Sequence, residues 1–298
     1  MHPEKRLCPR YVLGLPAAIY IGMIHYYYFK LEDYSKYLEK RTDGKSVIKT
    51  MKKDPVAVNN NNDDKLISGR SISLEVKNIS KVFDSSVSKV VPLKRVTFSV
   101  KKGEFVSIIG PSGSGKTTLL NIIGALDRPT TGKIFIDGID IFSLKDSEIA
   151  ALRNRHLGFI FQSYNLISRT TVQKNVELPG IIGGMSSTDR KRRGLKLLDF
   201  LGIKDKAKFK PSDLSGGQQQ RVAIARSLIN NPTIILADEP TGNLDTKTGQ
   251  EVFDLLKTLS YKFRRTIIMV THNPELAAET DKSIYIRDGT VEKEVLNK

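Results

Sequence analysis

Three short stretches of this chain carry residue types placed to handle phosphate. The first is Gly110-Pro111-Ser112-Gly113-Ser114-Gly115-Lys116-Thr117, which fits the pattern G-x-x-x-x-G-K-[ST]. Its glycines let the backbone curl so that successive N–H groups point inward at phosphate oxygens. Lys116 supplies a point charge for the outer phosphates, and the Thr117 hydroxyl suits Mg2+. Thr118 carries the same turn into a helix, whose positive end adds to the cradle. The second stretch is Leu214-Ser215-Gly216-Gly217-Gln218. Ser215 is a natural helix N-cap. Its hydroxyl, the N–H groups of Gly216 and Gly217 and the helix dipole make a second anion site. The third is Ile234-Ile235-Leu236-Ala237-Asp238-Glu239, an apolar run ending in two carboxylates. An acid at a strand end beside a phosphate cradle suits Mg2+ held through water, which assigns that role to Asp238. Glu239 is then the group that orients or deprotonates an attacking water.

These stretches need elements to position them, and the sequence supplies alternating strands and helices. Residues 96–100 alternate with period two, Lys102-Gly103 turns the chain, and 105–109 follows as a buried strand leading straight into the cradle. A helical run occupies 118–124. Residues 133–136 form a strand that ends in the turn Asp137-Gly138, and 158–161 another. The apolar runs 234–237 and 267–270 are of the kind found in parallel sheets covered on both faces. Between them Val252, Leu255, Leu256 and Leu259 recur at helical spacing. The helix opened by Ser215 runs to Leu228 and stops at Asn230-Asn231-Pro232. Residues 284–291, with Asp288-Gly289 at their centre, read as a hairpin. The pattern is α/β, with antiparallel strands added at the start.

Composition bounds the rest. The 298 residues can bury one good-sized core, or one core plus an appendage. A single cysteine, Cys8, excludes an internal disulfide framework and fits a reducing compartment. The net charge of +16 leaves three partners open: nucleic acid, an anionic membrane surface, or a ligand with several phosphates. No large internal repeat is visible, which excludes two tandem copies of one unit. The run Arg190-Lys191-Arg192-Arg193 reads as the solvated face of a helix whose Leu195 and Leu198 point inward.

With its two phosphate-binding elements far apart in sequence, the chain resembles the ABC ATPase family. Leu214 to Gln218 matches that family's signature motif. The resemblance covers about residues 72–294. It implies a P-loop NTPase (RecA-like) core, an antiparallel β subdomain and an α-helical subdomain over about 162–215. It further implies a second set of site residues. Gln162 matches the glutamine loop that senses Mg2+ and faces a membrane partner. Asn243-Leu244-Asp245 matches the loop that crosses a dimer interface, which puts Asp245 near nucleotide. His272 matches the histidine that contacts the γ-phosphate. Phe83 stands where the family places an adenine-stacking aromatic, with a core role as the open alternative. By the same resemblance Ser215 to Gln218 contact the γ-phosphate bound to the opposite subunit.

The function so implied is ATP hydrolysis with ATP and Mg2+, by a domain that forms a homodimer in the ATP state. It drives separate transmembrane permease subunits from the cytoplasmic face of the cell membrane. Stretches 121–130 and 236–245 look like the subgroup serving lipoprotein-release, macrolide-export and cell-division permeases. No nucleic acid partner is expected. The alternative is a soluble ABC-type ATPase acting on nucleic acid or the ribosome, although such proteins usually carry two cassettes or a long coiled-coil insertion. Leu214 to Gln218 argues against a P-loop enzyme outside the family, such as a kinase.

Residues 1–70 lie outside the resemblance. They hold an apolar segment, 11–29, interrupted by Pro16 and His25, and a polar linker beginning at the four asparagines 59–62. The segment is just long enough to span a bilayer core. Three readings stay open: a membrane anchor, an interfacial segment, or sequence that the working protein lacks because it starts at Met51. If the segment spans, the basic residues after it leave the following domain in the cytoplasm.

Overall fold

The structure, a computed structural model, describes residues 71–84 and 89–297. All of them fall in one of the two units into which the chain divides, Asn62–Lys298. The extension 1–70, its apolar segment 11–29 and the polar linker lie outside the described residues. Among the described residues no helix is long and apolar enough to cross a membrane.

In chain order the elements are β1 (Ile72–Asp84), β2 (Lys89–Lys101), β3 (Phe105–Ile109), α1 (Lys116–Ile123), β4 (Thr131–Ile136) and β5 (Ile139–Asp140). They continue with α2 (Asp146–His156), β6 (Leu157–Phe161), α3 (Val172–Ile182), α4 (Ser187–Phe200) and α5 (Gly216–Leu228). The last are β7 (Ile234–Asp238), α6 (Thr246–Tyr261), β8 (Thr266–Thr271), α7 (Pro274–Ala278), β9 (Lys282–Arg287) and β10 (Thr290–Leu296). Two sheets result. One is antiparallel with order β2-β1-β4-β5. The other has order β10-β9-β3-β8-β7-β6 and is parallel except at β10.

The apolar strands of the second sheet divide their side chains between its two faces. Val106, Ile108, Ile234, Leu236, Ile268 and Val270 join α1 and the antiparallel sheet in one buried cluster. Phe105, Ile235, Ala237, Ile267 and Met269 join α5, α6 and part of the helical layer in the other. A strand covered on both faces needs apolar residues at every position, which is why these runs read as continuous rather than alternating. The helical layer consists of α3 and α4, which pack on each other and on α5.

The run Arg190 to Arg193 is not one solvated face. Lys191 and Arg192 are exposed, but Arg190 and Arg193 are half-buried, and Arg190 Nε donates to Glu177 Oε2 at 3.3 Å. Four consecutive residues span about 300° of a helix with 3.6 residues per turn, so they cannot share one side. Leu198 is fully buried, whereas Leu195 packs only partly against the core. Helix α2 has no counterpart in the sequence reading, because beyond Ile149 and Leu152 its exposed face carries no apolar stripe.

Candidate active site

The chemically suited residues collect at the carboxyl ends of parallel strands. The cradle follows β3, Gln162 follows β6, Asp238 ends β7 with Glu239 next after it, and His272 follows β8. In an open α/β sheet that edge is where ligands bind.

The cradle is set by close backbone approach. A Cβ on Gly110 would lie 2.0 Å from the Ile286 carbonyl oxygen, and one on Gly115 would lie 2.3 Å from that of Pro92. Gly115 also has φ +97°, in the left-handed region that favours glycine. It precedes α1 with no side-chain cap and no acid in the first turn, so the first N–H groups of the helix remain for an anion. Lys116 Nζ donates to the carbonyls of Gly110 at 2.8 Å and Pro111 at 2.7 Å. Burial lowers the Lys116 pKa, and the charges of Glu239 and Asp238 oppose that shift. The Ser114 hydroxyl is buried without a hydrogen-bond partner.

Asp238 is the most perturbed acid of the site. Burial, reinforced by the charge of Glu239, pushes its pKa up to about 6, against the opposing effects of the Thr117 hydroxyl and of Lys116. Its Oδ1 is buried with no hydrogen-bond partner. A buried carboxylate oxygen without a donor, on an acid bonded to a hydroxyl, is a donor set suited to a hard divalent cation. Asp238 and Thr117 therefore fit the Mg2+ expected there.

Glu239 follows with φ +45°, uncommon for a residue with a side chain. Its N–H donates to the Val270 carbonyl at 3.0 Å. That bond fixes the turn at the strand end, where Glu239 Oε2 lies 2.7 Å from His272 Nδ1. A carboxylate accepts, so Nδ1 carries the proton and Nε2 is left for another partner. Gln162 is paired with Asn243: its Nε2 donates to Asn243 Oδ1 at 3.3 Å, and Asn243 Nδ2 donates to the Gln162 carbonyl at 3.0 Å. A Cβ on Gly242 would lie 2.8 Å from Gln162 Nε2 and 3.2 Å from Glu239 Oε2. Gln162 and Glu239 thus flank one point.

The second anion element is a formed helix start. Ser215 caps α5, accepting from Gln218 N while Gln218 Oε1 accepts from Ser215 N. The first turn packs against neighbouring loops. A Cβ on Gly216 would lie 2.8 Å from the Tyr164 hydroxyl, and one on Gly217 would lie 2.3 Å from Thr248 Cγ2. Asp245 caps α6 by accepting from Thr248 N at 3.0 Å. Its bonds with Thr248, side chain first, hold its carboxyl below the ordinary value. Phe83 is 43% exposed and carries Lys81 Nζ 4.9 Å above its ring. The core alternative for this side chain is thereby excluded.

Several positioning residues were not visible in the sequence. Arg226 donates to the Tyr164 carbonyl at 2.9 Å and to that of Asn165. It pins two residues with positive φ in the loop after Gln162. Gln220, fully buried, donates to the Pro240 carbonyl at 2.6 Å and ties α5 to the loop after Glu239. Both side chains lie in a run that reads as ordinary helix, and no local signal marks their targets.

The family model described as ABC transporter matches residues 93–242. An uncharacterized ABC transporter ATP-binding protein of Thermotoga maritima is 51% identical over 219 residues, covering 74% of this chain and 93% of its own. MJ0796 of Methanocaldococcus jannaschii bears the same description and is 48% identical over 225 residues, 74% of this chain and 96% of its own. Its solved structure as a dimeric bacterial ABC transporter cassette gives a TM-score of 0.71 at 47% identity, covering 76% of this chain and 99% of that one. A second dimeric structure of MJ0796, in a post-hydrolysis state bound to ADP and Pi, gives 0.70 at 46% identity and covers 76% of this chain and 99% of that one. The macrolide export ATP-binding/permease protein MacB of Neisseria gonorrhoeae is 49% identical over 218 residues, 73% of this chain but 34% of its own length.

Proposed function

The chain belongs to the ABC transporter family, and from that premise we propose how its site residues divide the work of hydrolysing ATP. It is an ATP-binding, ATP-hydrolysing subunit of a transporter. The cradle N–H groups from Gly110 to Thr118 take the phosphates. Lys116, which now spends two donors on Gly110 and Pro111, turns them to the β- and γ-phosphates. Thr117 and Asp238 would hold Mg2+, which would supply charge neutralisation for the phosphates. Gln162, fixed by Asn243, lies beside Glu239 and completes the set facing the cation and the water.

Glu239 is the general base. Its oxygen Oε2 is steadied by His272, which leaves the other carboxylate oxygen for a water and His272 Nε2 for the γ-phosphate. The exposed ring of Phe83 stacks on adenine. Ser215 to Gln218, with Asp245 nearby, close on the nucleotide of a second copy, so a two-fold pair carries two composite sites. The dimeric cassettes of MJ0796 support that reading. The permease is a separate membrane chain of the kind that MacB carries in one polypeptide with its ATP-binding part. The cassette works at the cytoplasmic face against that permease, with residues 11–29 as a candidate anchor.

The observation that carries the catalytic assignment is the 2.7 Å Glu239–His272 pair, just past the end of the strand whose last residue, Asp238, has an unpartnered buried oxygen. Glu239→Gln keeps the shape and removes the base. It is expected to bind Mg2+-ATP with near wild-type affinity and to hydrolyse it at least about a hundredfold more slowly. Turnover within a few-fold of wild type would remove Glu239 from the role.

A further inference from the structure

Lys81 stands two residues before Phe83 on β1 and has no part in the phosphate cradle. Its ammonium lies 4.9 Å from the centroid of the Phe83 ring, within the range of a cation–π contact. Two hydrogen bonds hold it there. Lys81 Nζ donates to Asp127 Oδ1 at 2.7 Å and to the Arg128 carbonyl at 2.7 Å. The Lys81 side chain is only 12% exposed, although the ring it covers is largely open. A cation anchored in this way cannot leave the ring to admit another group in its place. Asp127 is fixed in turn. Its Oδ1 also accepts from Arg128 N at 2.7 Å, and its N–H donates to the Asn121 carbonyl of α1 at 3.3 Å. The same loop is tied to β1 around Lys81: Val82 N donates to Thr130 Oγ1 at 2.9 Å, and Thr130 N donates to the Ser80 carbonyl at 2.8 Å. The first turn of α1 therefore belongs to the cradle, and the turn beyond its other end holds the cation against Phe83.

We propose that Lys81 is a positioning residue for the adenine base, acting through Phe83. The proposal rests on the reading that Phe83 stacks on adenine. The negative face of an aromatic ring attracts a cation, so Lys81 fixes the orientation of the ring and takes one of its faces. The base is left the other face. A cation behind the ring also draws electron density away from the stacking face, which reduces the repulsion between two π-systems laid face to face. Asp127 makes the platform part of the same rigid unit as the cradle. A nucleotide then meets its phosphate site and its base site at a set separation, and less ordering is left for binding to supply. Lys81 touches neither the phosphates nor the reacting atoms, so its loss falls on ligands that carry the base.

The test titrates the full chain with ADP and with inorganic diphosphate, which lacks the base, both with Mg2+ and followed by calorimetry. Lys81→Met keeps the reach of the side chain and removes its charge. It is expected to weaken ADP binding by roughly three- to tenfold, the size of one cation–π contact, and to leave diphosphate binding unchanged. Lys81→Arg, which keeps the cation and its donors, should retain the affinity for ADP. Asp127→Ala, which removes one anchor of the ammonium, should give a smaller loss of the same kind. In a Phe83→Ala chain, Lys81→Met should cause no further loss. Three results overturn the proposal. An equal loss for both ligands would make Lys81 a general attractor of phosphate. A full loss repeated in the Phe83→Ala chain would mean that it does not act through the ring. A gain in ADP affinity would put Lys81 on the face that the base itself needs. Phe83→Ala separates this proposal from the reading beneath it. Unchanged ADP affinity in that variant removes adenine stacking and the proposal with it, whereas weakened binding there beside unchanged binding in Lys81→Met removes the proposal alone.

Discussion

Asp238→Asn separates what the site needs from what the fold prefers. The folded protein holds Asp238 at a pKa of about 6 against an ordinary value of 3.8. A carboxyl with a raised folded-state pKa binds more protons folded than unfolded between those two values. Stability therefore falls as pH climbs from 3.8 to 6, and the penalty is constant above that. A shift of this size corresponds to at most about 3 kcal/mol at pH 7.5 and to roughly half that at pH 5. Asparagine keeps the shape and cannot ionise, so the variant escapes the penalty. In a domain of this size 1 kcal/mol moves the melting temperature by about 2–4 °C. The chelator-treated, nucleotide-free Asp238→Asn chain is thus expected to melt several degrees above wild type at pH 7.5. The gap should narrow at pH 5 and nearly close at pH 4. Hydrolysis should be lost at every pH, because the Mg2+-binding charge is gone. Parallel melting curves by circular dichroism at the three pH values decide the matter. A variant no more stable than wild type at pH 7.5, or a gap that ignores pH, would refute the reasoning.

Lys116→Ala is expected to abolish tight ATP binding and hydrolysis while leaving the melting temperature within a few degrees, since the hydrogen bonds it loses contribute about 1 kcal/mol each; equilibrium binding of a fluorescent ATP analogue and a melting curve check both halves. Gly217→Ala forces a Cβ to 2.3 Å from Thr248 Cγ2, an overpacking worth about 1–3 kcal/mol. It should cut turnover while leaving binding at the cradle intact. Thr248→Ser, which removes that methyl and keeps the hydroxyl bonded to Asp245, should restore turnover in the double variant. Failure of that rescue in a steady-state ATPase assay counts against the contact as the cause.

What could be read from sequence was what is local. The cradle is a strand, a turn and a helix start in eight consecutive residues, so its geometry follows from the residue types. The cap at Ser215 is equally local, needing only Gln218 three residues on. The strands 105–109 and 267–270 were legible because burial on both faces demands unbroken apolar runs. Pairings made by topology were not legible. Glu239 and His272 stand 33 residues apart, and each was identified singly without any signal that they touch. The raised pKa of Asp238 depends on burial that the order β8-β7-β6 creates. The mixed fate of Arg190 to Arg193 follows from helix rotation against α3, invisible in a basic run read as one face. Tyr164 and Asn165 take positive φ for reasons held in Arg226, more than sixty residues away.

The central claim is that two copies complete each other's site around ATP. Sedimentation velocity of the Glu239→Gln chain, run with and without Mg2+-ATP, tests it most directly, because the variant binds nucleotide and cannot discharge it. A single-chain species without nucleotide and a species of twice that mass with it is the predicted pair of results. A monomer in both, at protein concentrations well into the micromolar range, would contradict the account.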